Sequence, residues 1–93
     1  MNFGEALEEL KKGKKVCREG WNGKGMFIFL TQGSEVKTEV LRHNIIKDYF
    51  MSKDEGTVNI LPHIDMKSAD DKIVIGWLAS QADLLAEDWQ IKE

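Results

Sequence analysis

"GWNGKGMFIFL", residues 20–30, sets a turn directly against a strand. Gly20, Gly23 and Gly25 crowd around Trp21, Asn22 and Lys24, and five large apolar residues follow without a polar break. An Asn-Gly pair favours chain reversal, because both residues tolerate positive φ. The run "MFIFL" is apolar on both faces, which predicts a strand that is central in its sheet or covered on both sides. Upstream, "KKVCR" (14–18) reads as a short partner strand, so the segment is expected to be a hairpin with a generous loop. The fold class then depends on what surrounds an antiparallel sheet.

On the N-terminal side, Phe3, Ala6, Leu7 and Leu10 fall at i, i+3, i+4 and i+7, the stripe of an amphipathic helix over residues 3–12. Asn2 and Glu5 form a capping-box pair at its start, and Gly13 suits the left-handed position at its end. On the C-terminal side, "TQGSE" (31–35) reads as a turn. "VLRHNIIKDYF" (40–50) reads as a short helix, with Leu41, Ile45 and Tyr49 four apart, and "KDEGT" (53–57) as a polar turn. "VNILPHIDMKS" (58–68) alternates as one strand, with Pro62, Ile64 and Met66 on one face and Leu61, His63, Asp65 and Lys67 on the other. Its proline predicts a sheet edge or a bulge. "ADDK" turns the chain, and "IVIGW" (73–77) returns as a strand. Ser80 and Asp83 form a second capping box before Leu84 and Leu85, and Trp89 and Ile91 belong to a closing strand. The expectation is one α+β domain over residues 1–93, an antiparallel sheet with an N-terminal helix and a short C-terminal helix.

Composition narrows the function. Of the 93 residues, 42% are hydrophobic and 31% charged, the balance of a folded globular chain and not of a disordered one. No apolar run approaches the roughly 18 residues of a membrane span, and "MNFGEALEELKK" lacks the positive start of a signal peptide. The single cysteine, Cys17, excludes an internal disulfide and fits the cytoplasm. A chain this short buries only about 60–65% of its unfolded surface, so association with further copies would help it. Lys11, Lys12, Lys14, Lys15, Arg18 and Lys24 oppose Glu19 alone, whereas Asp83, Glu87, Asp88 and Glu93 oppose Lys92. Coating long nucleic acid needs a broad basic face, which this pattern lacks. The basic segment could hold a small anion, or it could pair with the acidic one within or between subunits.

No zinc-type spacing, Walker loop or local nucleophile–base pair is present. His63 and Asp65 share a strand face, either as a polar binding pair or as an incidental pair on a solvated surface. Tryptophans usually bury in a core, and that is the default for Trp89 beside Leu84 and Leu85. Trp21 lies inside a turn, where it either stacks on a nucleobase or folds back over the sheet.

"FGEALEELKKGKKVCREGWNGKGM" and "PHIDMKSADDKIVIGWLASQADLLAEDW" resemble the N- and C-terminal signatures of the second type of Thoeris anti-defence protein, a family of small phage and prophage proteins. The resemblance implies a non-enzymatic sponge without a cofactor. Such proteins hold a cyclic ADP-ribose isomer, and some hold cyclic oligonucleotides, so that the defence effector is never activated. It also implies a homotetramer in the host cytoplasm with ligand pockets between subunits. Trp21 and Trp77 would then stack or form pocket walls, and Asn22, Gly23, Lys24 and Gly25 would donate to phosphate or ribose. Ser80, Gln81 and Asp83 would add polar contacts, with Asp83 equally explained as a cap, and His63 and Asp65 stand second. The rival expectation is an interaction module that blocks a host protein by direct contact.

Overall fold

The computed structural model describes residues 1–53 and 56–93. In chain order the elements are α1 (Phe3–Lys11), β1 (Val16–Arg18), β2 (Phe27–Thr31), β3 (Ser34–Lys37), α2 (Asn44–Ser52) and β4 (Thr57–Ile60). They continue with β5 (His63–Lys67), β6 (Ile73–Val74), α3 (Gln81–Leu85) and β7 (Trp89–Ile91), and a 3-10 turn at Thr38–Val40 precedes α2. The fold is α+β, and the chain divides into two compact units, residues 1–31 with 63–93 and residues 32–62.

The first unit is a five-stranded antiparallel sheet, β6-β5-β2-β1-β7, with α1 against one face. The capping box forms as the sequence predicts: Glu5 N–H donates to the Asn2 side chain at 2.8 Å, and Asn2 N–H donates to Glu5 at 3.0 Å. Gly13 takes φ +89° where the helix ends. Registers Val16↔Ile28, Ile28↔Met66 and Arg18↔Trp89 put these side chains on the face that α1 covers. There Ala6, Leu10, Val16, Ile28 and Trp89 close the core, each large aliphatic contributing about 1.5–3 kcal/mol by its burial. β2 is central, as its double apolarity predicts. On its other face Phe27 and Phe29 are half-buried, and the ammonium groups of Lys15 and Lys67 lie 5.2 and 5.7 Å from the Phe27 ring centre.

The second unit is the two-stranded antiparallel sheet β3–β4 with α2. The sequence reading needs three corrections, the first in this unit, the second at its boundary and the third in the first unit. "TQGSE" is not wholly a turn, since β3 begins at Ser34 and pairs with β4 from Ser34↔Ile60 to Lys37↔Thr57. "VNILPHIDMKS" is not one strand. It breaks at Leu61–Pro62, because proline brings no N–H to a ladder, and β4 and β5 belong to different sheets. β5 is therefore interior, between β2 and β6. "IVIGW" keeps only Ile73 and Val74 as strand. The turn expected at "KDEGT" includes Asp54 and Glu55, which lie outside the described residues.

Candidate functional site: a cavity beside the glycine loop

β1 ends at Arg18 and β2 begins at Phe27, so residues 19–26 form the loop between them. Its root is pinned by charge. Arg18 donates from Nε to Asp88 Oδ1 and from Nη1 to Asp83 Oδ1, each at 2.8 Å. The second oxygen of Asp88 accepts the Gly20 N–H at 2.8 Å, and the Trp21 indole N–H donates to Asp83 Oδ1 at 3.2 Å. The hydrogen bond from Arg18 holds the Asp88 carboxyl below its ordinary range. At Asp83 burial opposes the charge, but the bonds from Arg18, Trp21 and Ser80 outweigh it and lower that carboxyl too. The basic and acidic segments of the sequence thus pair within the chain.

At the far end of the loop, Lys67 Nζ donates to the Gly25 carbonyl at 2.9 Å and pairs with Asp71 at 2.7 Å. The reversal is made at Gly25, whose φ is +78°. Neither Asn22 nor Gly23 has positive φ, which corrects the Asn-Gly expectation. Gly23 instead leaves room for the Met26 side chain, which would have to move for any larger residue. A Cβ there would collide with the Met26 side chain and sit 3.1 Å from Ala69 Cβ.

Between loop and sheet lies a cavity of about 240 Å³. β1 and β7 contribute Cys17, Arg18 and Gln90 to it, and the loop contributes Trp21, Gly23, Lys24 and Gly25, with Lys92 beside them. Glu19 and Met26 complete the lining. Among the described residues none of Lys24, Lys92 and Glu19 makes an ion pair, so two ammonium groups against one carboxylate are available to an anion. Of the two roles that its position in a turn suggested, the structure shows the fold-back of Trp21, which also borders the cavity. Its ring lies against Trp89 and Trp77, with centroids 5.4 and 6.4 Å away.

The other candidates lie elsewhere. Asn22 is exposed and does not line the cavity. Trp77 packs in the aromatic cluster with Phe3, Trp21 and Trp89. Ser80 and Asp83 are consumed by their capping box, Asp83 N–H donating to Ser80 Oγ at 3.1 Å and Ser80 N–H to Asp83 Oδ2 at 3.2 Å. Gln81 is the exposed first residue of α3, a helix of five residues. His63 and Asp65 form a separate cluster in which Asp65 is the hub, 3% exposed and not solvated. Thr31 Oγ1 donates to its Oδ2, Gly76 N–H donates to its Oδ1 at 2.8 Å, and His63 Nε2 lies 3.2 Å from Oδ2. Burial opposes its charge, yet these three partners hold the carboxyl below its ordinary value. Because Thr31 gives its proton to Asp65, this trio lacks the nucleophile–base order of a hydrolytic triad.

Among the described residues no group of three or more His, Cys, Asp or Glu could hold a metal ion. No helix there is long and apolar enough to cross a membrane. Sequence reasoning missed Arg18, Cys17, Gln90 and Lys92. The opposed charge runs carried a signal for Arg18. The last two depend on the β1–β7 pairing, which no local pattern reveals.

A family profile described as the Thoeris anti-defense 2-like domain matches residues 1–92, nearly the whole chain. The chain belongs to this family. A curated relative, Thoeris anti-defense 2 of Bacillus phage SP01, is 43% identical over 91 residues, which cover 98% of this chain and 93% of the relative. Membership supports an anti-defence role.

Proposed function

We propose that the chain sequesters a cyclic nucleotide immune signal, a cyclic ADP-ribose isomer in the first instance, without breaking any bond in it. The observation that carries the reading is the cavity, where two unpaired lysines and a glycine-rich loop face a space about 240 Å³ in volume. A pyrophosphate matches those ammonium groups, and cyclic oligonucleotides offer the same anionic chemistry. The volume is below the about 300–1,000 Å³ of pockets that enclose a ligand of drug size. One chain therefore covers part of the signal, and a further copy completes the enclosure, consistent with a homotetramer in the host cytoplasm.

The test is retention. Native protein is incubated with the cyclic ADP-ribose isomer, washed, and heat-denatured, and the supernatant is analysed. Intact ligand supports sequestration, a cleaved product means an enzyme, and no ligand ends the reading for this molecule. Lys24→Glu should abolish retention while the fold is kept, because Lys24 is exposed and makes no structural bond. Trp21→Ala is a poorer probe, since it also removes part of the aromatic cluster.

A second reading, inhibition of a host protein by direct contact, draws on the exposure of Ile75, Leu78 and Leu85 at 76%, 90% and 79%. Contiguous exposed apolar surface marks interaction sites. Copurification of a host protein together with an empty cavity would favour it.

A further inference from the structure

We propose that Arg18 is a positioning residue that presets the wall of the cavity by fixing Gly20 and Trp21 through Asp88 and Asp83. The inference rests on the sequestration reading for its ligand, but its structural half stands on geometry alone. One guanidinium reaches two carboxylates, and each carboxylate then holds one group of the loop. Asp88 takes the Gly20 N–H and Asp83 takes the Trp21 indole N–H. Asp83 is held from the other side by Ser80 N–H, and the Trp89 indole donates to its carbonyl at 2.9 Å. The loop root is thereby tied to the rim of the core.

The two tethers of the loop are unequal. The Arg18 side chain is 19% exposed, with Asp83 at 13% and Asp88 at 29%, so water competes weakly for these bonds. At the Lys67 tether the lysine is 21% exposed, but it makes one bond to Gly25 and its ion-pair partner Asp71 is 83% exposed, and such a pair contributes little. Between the tethers, the side chains of Asn22 and Lys24 make no hydrogen bond or ion pair among the described residues. A loop with three glycines has many conformations to lose, and ordering it during binding would weaken affinity. Arg18 removes that cost in advance. Lysine cannot replace it, because an ammonium group lacks the planar fork that reaches both carboxylates.

The test has two readouts on the full-length protein. Amide hydrogen exchange is measured without ligand, and dissociation of the cyclic ADP-ribose isomer is measured separately. Arg18→Gln should speed exchange at Gly20 and Trp21 while Ile28 and Phe29 in β2 keep their protection. It should raise the dissociation rate about 10- to 100-fold, the range expected for hydrogen bonds to charged groups, with the association rate little changed. Arg18→Lys should fall between the two, and Lys67→Met should change dissociation less than about 3-fold, as for an exposed pair. Asp88→Asn, which leaves the Arg18–Asp83 bond, serves if Arg18→Gln loses its fold. Unchanged exchange at Gly20 and Trp21 overturns the proposal whatever the ligand. Faster exchange with unchanged dissociation overturns its link to retention. If the wild-type protein retains no nucleotide, sequestration fails, and the exchange data still decide whether Arg18 fixes the wall.

Discussion

Two helices with similar sequence patterns meet different fates in the two units. In α1 the apolar stripe is absorbed, with Ala6 and Leu10 fully buried against Val16, Ile28 and Trp89. In α2 the stripe stays open, with Ile45 74%, Tyr49 53% and Ile46 44% exposed. Among the described residues of the second unit Thr38 alone is buried, and no apolar side chain is. Periodicity states that a helix has a face to cover; it does not state what covers it. A two-stranded sheet offers too little surface for that purpose, whereas five strands and an aromatic cluster offer enough.

The strongest way to break this contrast is Leu10→Ala. Truncating a fully buried leucine leaves a cavity, and the expected loss is about 2–5 kcal/mol in a urea titration. A loss below about 1 kcal/mol would mean that the core around Leu10 collapses to fill the gap, and that the first unit is looser than its packing indicates.

Asp65 comes next, because the first unit also buries charge successfully. In Asp65→Asn one carboxylate oxygen becomes a donor, which then faces either the Gly76 N–H or the Thr31 hydroxyl. The expected cost is about 1–3 kcal/mol at neutral pH. The sign of its pH dependence follows from the lowered carboxyl. The folded value lies below the ordinary 3.8, so the stabilisation is complete above that value and is lost as pH falls through the lower one. The advantage of wild type over Asp65→Asn should therefore shrink below about pH 4, measured as the difference in urea midpoint. An advantage that grew as the pH fell below about 4 would show that Asp65 is not held as a carboxylate.

Legibility in the sequence follows the same division. Helix starts were readable because Asn2–Glu5 and Ser80–Asp83 supply the atoms of their own capping boxes. The interior place of β2 was readable because five apolar residues leave no face for water. β3 was not, since only Val36 is apolar among Ser34–Lys37 and a ribbon with little burial needs no more. The break at Leu61–Pro62 was masked by an alternation that continues through it. At the site, the loop was readable from its glycines and basic residues, but its partners on β7 were not. They lie more than sixty positions away and are brought in by the Cys17↔Gln90 register. The capping chemistry of Ser80 and Asp83 was readable, but that the Asp83 carboxylate also accepts from Arg18 and Trp21 was not, because both donors lie more than sixty positions away.

The smallest expected effect sharpens the contrast most. Ile45→Ala removes more side chain than many core substitutions, yet at an exposed helical position the change should stay within about 0.5 kcal/mol. Alanine's higher helix propensity even favours the variant slightly. The measurement is a urea titration repeated across a wide range of protein concentration. If the isolated chain is the folded unit, the result is near zero and independent of concentration. If a second copy covers α2, wild type gains stability with concentration and the variant gains less, because a partner that binds only the folded state stabilises it by mass action. In that case the open stripe of α2 is half of an interface, and the second unit completes its core only in the assembly.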